Sequence, residues 1–144
     1  MGAASGSNVK LYVLDANAVM RYLQKGAGFE RVRELFRTAL RGDVRLMMSI
    51  VNWGEVVYSL ARRTGLERAS DALKSLAGWI ELVDATEEEA HAAAVLKLHY
   101  KLGFADCYAA ELAIRTGATV VTADPEFARL SRKIKILTLP HHQA

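Results

Sequence analysis

Val9-Lys10-Leu11-Tyr12-Val13-Leu14-Asp15, near the start of the chain, and Ala118-Thr119-Val120-Val121-Thr122-Ala123-Asp124, near its end, decide the fold. Each is a short, mostly apolar run that stops at an aspartate. Neither shows the strict in–out alternation of a strand with one wet face. Strands of this kind are covered on both sides, as in parallel sheets. Ile134 to Leu139, closed by Pro140, has the same character and is expected to be equally buried. Val44 to Met48 and Trp79 to Val83 complete a predicted set of five strands.

Helical patterns fill the intervals. A short helix is predicted over Asn17 to Leu23, broken by Gly26 and Gly28. From Phe29 to Leu40, the residues Val32, Leu35, Phe36, Ala39 and Leu40 recur at offsets of three and four, one face of a helix. Ser49 is the expected N-cap of a helix that carries Asn52, Glu55, Val56, Val57, Leu60 and Ala61 and ends near Gly65. Leu66 to Ala77 is a further amphipathic helix, closed by Gly78. Thr86 and Glu89 have capping-box spacing and open a long helix to about Leu102. Phe104 to Thr116 follows, with Gly117 in the C′ position. Pro125 suits the first turn of a short helix to Leu130. Strands alternating with helices imply βαβ units, a mostly parallel sheet and helices on both faces.

The 144 residues are the usual size of one domain, and a hydrophobic fraction of 51% is enough for a sizeable core. No apolar stretch approaches the ~20 residues that span a bilayer, so no membrane association is expected. Met1 to Ser7 has no basic head and no apolar middle; it reads as a flexible leader or tag remnant rather than a secretory signal. Residues 8–140 are expected to form the single domain and residues 141–144 a tail. The one cysteine, Cys107, forbids an internal disulfide, which fits a reducing cytoplasm. Its place among small apolar residues predicts a buried, inert thiol. His91, His99, His141 and His142 lack zinc-ligand spacing.

Four carboxylates then stand out. Asp15 and Asp124 close strands, and the downstream edge of an open parallel sheet is where ligands bind. Glu55 follows the second strand on its helix, and Asp106 opens the helix Ala105-Asp106-Cys107-Tyr108-Ala109-Ala110. Taken singly, each has a plain structural role as a helix cap or first-turn acid. Gathered at one edge, the four would repel unless a hard divalent cation neutralised them. Asn17 stands two residues after Asp15, Thr122 two before Asp124, and Asn52 three before Glu55 on the same helix face. With Ser49, these are candidates to orient the carboxylates or hold metal-bound water. An oxygen-only donor set of this kind suits Mg²⁺ or Mn²⁺ and the hydrolysis of a phosphodiester.

The net charge of +3 supports an anionic substrate. With four negative charges assigned to the metal, the remainder carries +7. Arg31, Arg33, Arg37, Arg62 and Arg63 are candidate contacts to RNA phosphates. There is no G-x-S-x-G and no phosphate-cradling glycine loop. Trp53 could stack on a base, pack in the core or meet a partner.

Val13-Leu14-Asp15-Ala16-Asn17-Ala18, Ser49-Ile50-Val51-Asn52-Trp53-Gly54-Glu55-Val56, Phe104-Ala105-Asp106-Cys107-Tyr108-Ala109-Ala110 and Val121-Thr122-Ala123-Asp124-Pro125-Glu126-Phe127 occur in this order. In these motifs and their spacing the chain resembles the PIN-domain ribonucleases, and in size the VapC-type toxins of toxin–antitoxin pairs. The resemblance implies a five-stranded parallel sheet in a three-layer α/β/α sandwich. It implies Asp15, Glu55, Asp106 and Asp124 as the metal-binding catalytic acids, Mg²⁺ or Mn²⁺ as cofactor and RNA as substrate. It also implies a homodimer or a toxin–antitoxin hetero-oligomer, with a small antitoxin in an apolar groove beside the acids, where Trp53, Val57 and Leu60 are candidate contacts. Glu126 is a possible aid to Asp124, the weakest of the four ligands. A housekeeping RNA-processing nuclease and a non-catalytic PIN module are the alternatives. Phosphotransfer through an aspartyl-phosphate needs a second aspartate at the position of Asn17 and is disfavoured.

Overall fold

A computed structural model of the chain describes residues 9–140; the expected leader and tail lie outside the described residues. Five strands form one sheet in the order β3-β2-β1-β4-β5, every neighbouring pair parallel. They are β1 (Lys10–Leu14), β2 (Val44–Ser49), β3 (Glu81–Val83), β4 (Thr119–Thr122) and β5 (Lys135–Thr138). The central strand sets the register: Tyr12 lies opposite Leu46 and Thr119, and Val13 opposite Met47 and Val120.

Because side chains alternate across a strand, this register sorts the apolar residues into two cores. Tyr12, Leu14, Leu46, Met48 and Val121 point to one face, beneath α1 (Ala16–Leu23), α2 (Phe29–Leu40), α3 (Ile50–Thr64) and α4 (Leu66–Ala77). Val13, Met47 and Val120 point to the other, beneath α5 (Glu87–Tyr100), α6 (Phe104–Thr116) and the 3₁₀ turn Pro125–Leu130. The result is the expected three-layer α/β/α sandwich. Phe36 is the aromatic centre of the first core, its ring 4.6 Å from that of Tyr22 and 5.4 Å from that of Trp79. α3 also touches α6, which brings the helices of Glu55 and Asp106 together.

The caps follow the sequence closely. Asp15 and Ser49 cap α1 and α3 through their side chains, and Thr86 and Glu89 form the capping box of α5. Gly117 adopts the left-handed conformation after α6. Three expectations need correction. The third strand begins at Glu81, not Trp79, because the amides of Trp79 and Ile80 still bond to the Leu76 carbonyl at the end of α4. β5 is not buried on both sides: Lys135 and Thr138 are exposed, since the strand is the sheet's edge. The long helix stops at Tyr100, where Lys101 turns left-handed and the Lys97 ammonium caps the Leu102 carbonyl at 3.0 Å. The short edge strand β3 is pinned by a bidentate ion pair, Arg45 to Glu81 at 2.7 and 2.8 Å.

Gly28 and Gly42 both have positive φ, 87° and 84°. They differ in surroundings: a Cβ on Gly28 would lie 3.0 Å from Leu139 Cβ and 3.2 Å from Pro140 Cδ, while one on Gly42 would meet nothing within 4 Å. Gly42→Ala should therefore lower stability by about 1–2 kcal/mol through the left-handed backbone alone. Gly28→Ala should lower it by ~1–3 kcal/mol more through overpacking. Equal shifts of the urea midpoint in the two variants would contradict the close approach of α2 to the end of β5.

Candidate active site

β1 and β4 are neighbours, yet the chain leaves them in opposite directions. After β1 it enters α1 on the first face; after β4 it enters the 3₁₀ turn, whose Phe127 and Leu130 belong to the second core. The strand order reverses at this point, and such a switch opens a crevice at the carboxyl ends of the strands. Asp15 and Asp124 stand on its two sides.

Asp15 is buried, with 1% of its surface exposed. Its backbone is extended, as an N-cap requires, and Oδ1 accepts the Ala18 amide at 2.8 Å. Oδ2 accepts the Thr122 hydroxyl at 2.5 Å. The Thr122 oxygen in turn accepts the Asp124 amide at 2.9 Å, so one hydroxyl spans the switch point and ties the two aspartates together. Asp124 caps the 3₁₀ turn, its Oδ1 accepting the Glu126 amide at 2.9 Å. From the other direction, Asp106 projects from the first turn of α6, close enough to Asp124 for the two carboxylates to act on each other. Glu55 is exposed on α3, where the Asn52 amide donates to Oε1 at 3.1 Å.

The electrostatics register this crowding. Burial pushes the Asp15 carboxyl up to about 7; the bonds from Thr122 and Ala18 oppose the rise, and Asp106 and Asp124 add to it. The Asp106 carboxyl rises to about 6, first through burial and then through Asp124, Glu55 and Glu126. Asp106 is the common member: Asp15, Asp124, Glu55 and Glu126 each interact with it, and Asp15 also feels Asp124. Arg129 holds Glu126 at 3.4 Å and donates to the Lys101 carbonyl at 3.0 Å, a cationic brace absent from the sequence-based site. As placed, no three Asp, Glu, His or Cys side chains among the described residues surround one point as a ready metal cage. The acids' chemistry nonetheless fits a hard divalent cation: the donors are oxygen only, and they retain protons that a cation would displace.

The supporting residues divide. Thr122 and Asn52 bond to the acids. The Ser49 hydroxyl instead caps α3 by accepting the Val51 amide at 3.2 Å. Asn17 is exposed, and the bonds to Asp15 come from Ala18 and Thr122 rather than from it. Cys107 is buried, and burial raises its thiol further above the ordinary value, as an inert residue requires. Leu60 is part of the first core, with Val57 and Trp53 packed against it, so these three are chiefly core residues of α3. The candidate RNA-binding arginines are engaged locally: Arg33 lies 5.3 Å from the Phe29 ring, Arg62 5.4 Å from the Tyr58 ring, and Arg37 3.9 Å from Glu34. Arg62 and Arg63 stand about 10 Å along α3 from Glu55, at 1.5 Å per residue. Arg31 is exposed on α2.

The sequence profile of the PIN domain matches residues 12–133. The chain belongs to the PIN-domain family. No curated protein matches it. Solved structures with the same fold include VapBC2 from Rickettsia felis, bound to a DNA fragment from its promoter. That chain is 18% identical, with a TM-score of 0.73, and the match covers 90% of this chain and 99% of that one. DNA-bound VapBC from Salmonella typhimurium is 23% identical with a TM-score of 0.70, covering 90% and 98%. PAE2754 from Pyrobaculum aerophilum is 18% identical with a TM-score of 0.64, covering 90% of each chain. At these identities the structures establish the fold. No helix among the described residues of this PIN domain is long and apolar enough to cross a membrane.

The raised carboxyls have a consequence for stability. Between the unfolded value near 3.8 and the folded values of about 6 and 7, the native state holds protons that the unfolded chain has released. Metal-free stability contributed by these groups is full below about pH 4 and is lost as pH rises through 7. The loss amounts to several kcal/mol at ~1.4 kcal/mol per tenfold change in acidity. In EDTA, the melting temperature should fall from pH 5.5 to pH 8, and Mn²⁺ should raise it more at pH 8 than at pH 5.5. A flat or rising Tm over that window would show that the acids do not crowd one another.

Proposed function

We propose that this PIN-domain protein is a metal-dependent endoribonuclease and the toxin of a toxin–antitoxin pair. The observation that carries the nuclease reading is the group of carboxylates at the switch point of the sheet: Asp15 is tied through Thr122 to Asp124, and α6 and α3, packed together, carry Asp106 and Glu55. These four residues are the proposed ligands of Mg²⁺ or Mn²⁺, which supplies an activated water and neutralises charge on a phosphodiester. The protein's own contribution is preparation. Thr122 and the Ala18 amide hold both oxygens of Asp15, and the burial of Asp15 keeps the pocket dry. The cationic remainder of the chain, with Arg31, Arg33, Arg37, Arg62 and Arg63 as proposed phosphate contacts, favours a polyanionic substrate.

Purified protein should cleave single-stranded RNA with Mg²⁺ or Mn²⁺ and lose that activity in excess EDTA. Asp106→Asn should abolish cleavage while leaving Tm in EDTA at pH 8 equal to or above the parent's, because it removes one of several crowded charges. Undiminished cleavage in EDTA, or a variant that is destabilised without metal, would sink this assignment.

The toxin reading is supported by the shared fold with VapBC-5 from Mycobacterium tuberculosis, a member of the VapBC family of toxin–antitoxin systems, and with a toxin–antitoxin complex from Klebsiella pneumoniae. An amphipathic antitoxin segment laid over α3 would find Tyr58, 64% exposed, and Ile50 as apolar contacts. Expression of this chain alone should arrest growth, and co-expression with the protein encoded immediately upstream should restore it and yield a complex. Harmless expression of a protein that still cleaves RNA would favour an RNA-processing role instead.

A further inference from the structure

Among the described residues, one buried side-chain polar atom has no hydrogen-bond partner: Oδ1 of Asn52. Such groups are uncommon in folded proteins and call for an explanation. Asn52 is completely buried on α3. Its Nδ2 donates twice, to Glu55 Oε1 at 3.1 Å and to the Ala105 carbonyl at 3.0 Å. Both partners are acceptors, so the amide can stand only this way round. The reversed orientation would set an oxygen against a carboxylate and a carbonyl.

Neither partner needs this bond in order to fold. Glu55 is exposed and can be solvated by water. The Ala105 carbonyl lies inside α6, where helix geometry already supplies the amide four residues on. The amide therefore leaves its own oxygen dry and unmet, which opposes folding, and relieves no other buried group. A leucine, with the same branching at Cγ, would carry no such polar penalty. What the amide does achieve is a link. Ala105 precedes Asp106, and Glu55 lies one turn beyond Asn52, so a single side chain joins the helices that carry two of the four acids. Thr122 performs the matching task for the other two, bonding to Asp15 and to the Asp124 amide.

We propose that Asn52 is a positioning residue, a bracket between α3 and α6 that holds the Glu55 carboxylate toward Asp106 so that both join one cation-binding set. The proposal rests on the nuclease reading above. It follows the general pattern in which local stability is given up at functional sites.

The test is Asn52→Leu in the full chain, with three readouts: Tm in EDTA, Mn²⁺ affinity by calorimetry, and kcat and KM on single-stranded RNA. The variant should melt at or above the parent's temperature. It should bind Mn²⁺ about ten- to a hundredfold more weakly, the usual effect of losing a residue that orients a metal ligand. Its kcat should fall while KM for RNA stays within about twofold. In a Glu55→Gln background, Asn52→Leu should add little further loss of Mn²⁺ affinity, because the bracket acts through Glu55. Should the leucine variant fail to fold, Asn52→Ala, which leaves space instead of filling it, is expected to show the same loss of Mn²⁺ affinity. A lowered Tm with unchanged Mn²⁺ affinity would overturn the proposal and make Asn52 a structural residue. So would fully additive losses with Glu55→Gln. A parent protein that neither binds Mn²⁺ nor cleaves RNA would overturn the nuclease reading itself, a separate outcome.

Discussion

The hydrogen bond from the Thr122 hydroxyl to the buried Asp15 carboxylate, across the boundary between β1 and β4, is the contact around which this molecule is organised. A carboxylate with 1% of its surface exposed is expensive to bury. It is tolerated because each oxygen has a fixed donor, one from the first turn of α1 and one from β4. Each donor also serves the fold. The Ala18 bond starts α1 after the central strand, and Thr122 receives the Asp124 amide and so shapes the departure from β4. The same few atoms start two connections in opposite directions and leave a crevice between them.

That crevice explains why acids so distant in sequence act on one another. Asp15 and Asp124 are brought in by neighbouring strands. Asp106 and Glu55 arrive on helices, and only the packing of α3 on α6 places them there. Burial displaces the Asp15 and Asp106 carboxyls upward, and the neighbouring acids add to that displacement. The fold absorbs the resulting tension through proton retention and through two polar links, Thr122 and Asn52. Tension of this type is stored where a cation can release it.

The opposite end of the sheet has a different character. A cavity there, of about 640 Å³, is lined by Leu40, Trp79 and the Arg45–Glu81 pair and contains none of the four acids. Concavity alone would thus have pointed to the wrong edge. The topology of the strands and the gathering of acids single out the other edge instead.

Local sequence determined most of the architecture. The apolar runs at 10–14 and 119–122, the offsets within 29–40, the capping box at Thr86 and the glycine after Thr116 are properties of a few adjacent residues, and each element formed where they indicate. Asp15, Asp124 and Asp106 could be singled out for the same reason, since the first two directly follow strands and the third stands in the first turn of α6, whereas Glu55 lies within α3, a turn beyond Asn52. Tertiary structure alone decided the rest. It ended α4 late, so that β3 shrank to three residues. It put β5 on the edge, where its apolar residues are half covered. It left Asn17 in solvent, though it stands two residues from Asp15 in sequence. It turned Leu60 inward and engaged most of the candidate arginines locally. It also gave Asn52 a partner 53 residues away, the carbonyl beside Asp106. Short-range pattern reports backbone preference and which face is apolar. The direction of a side chain, and the partner it finds, depend on segments that meet only when the two cores close.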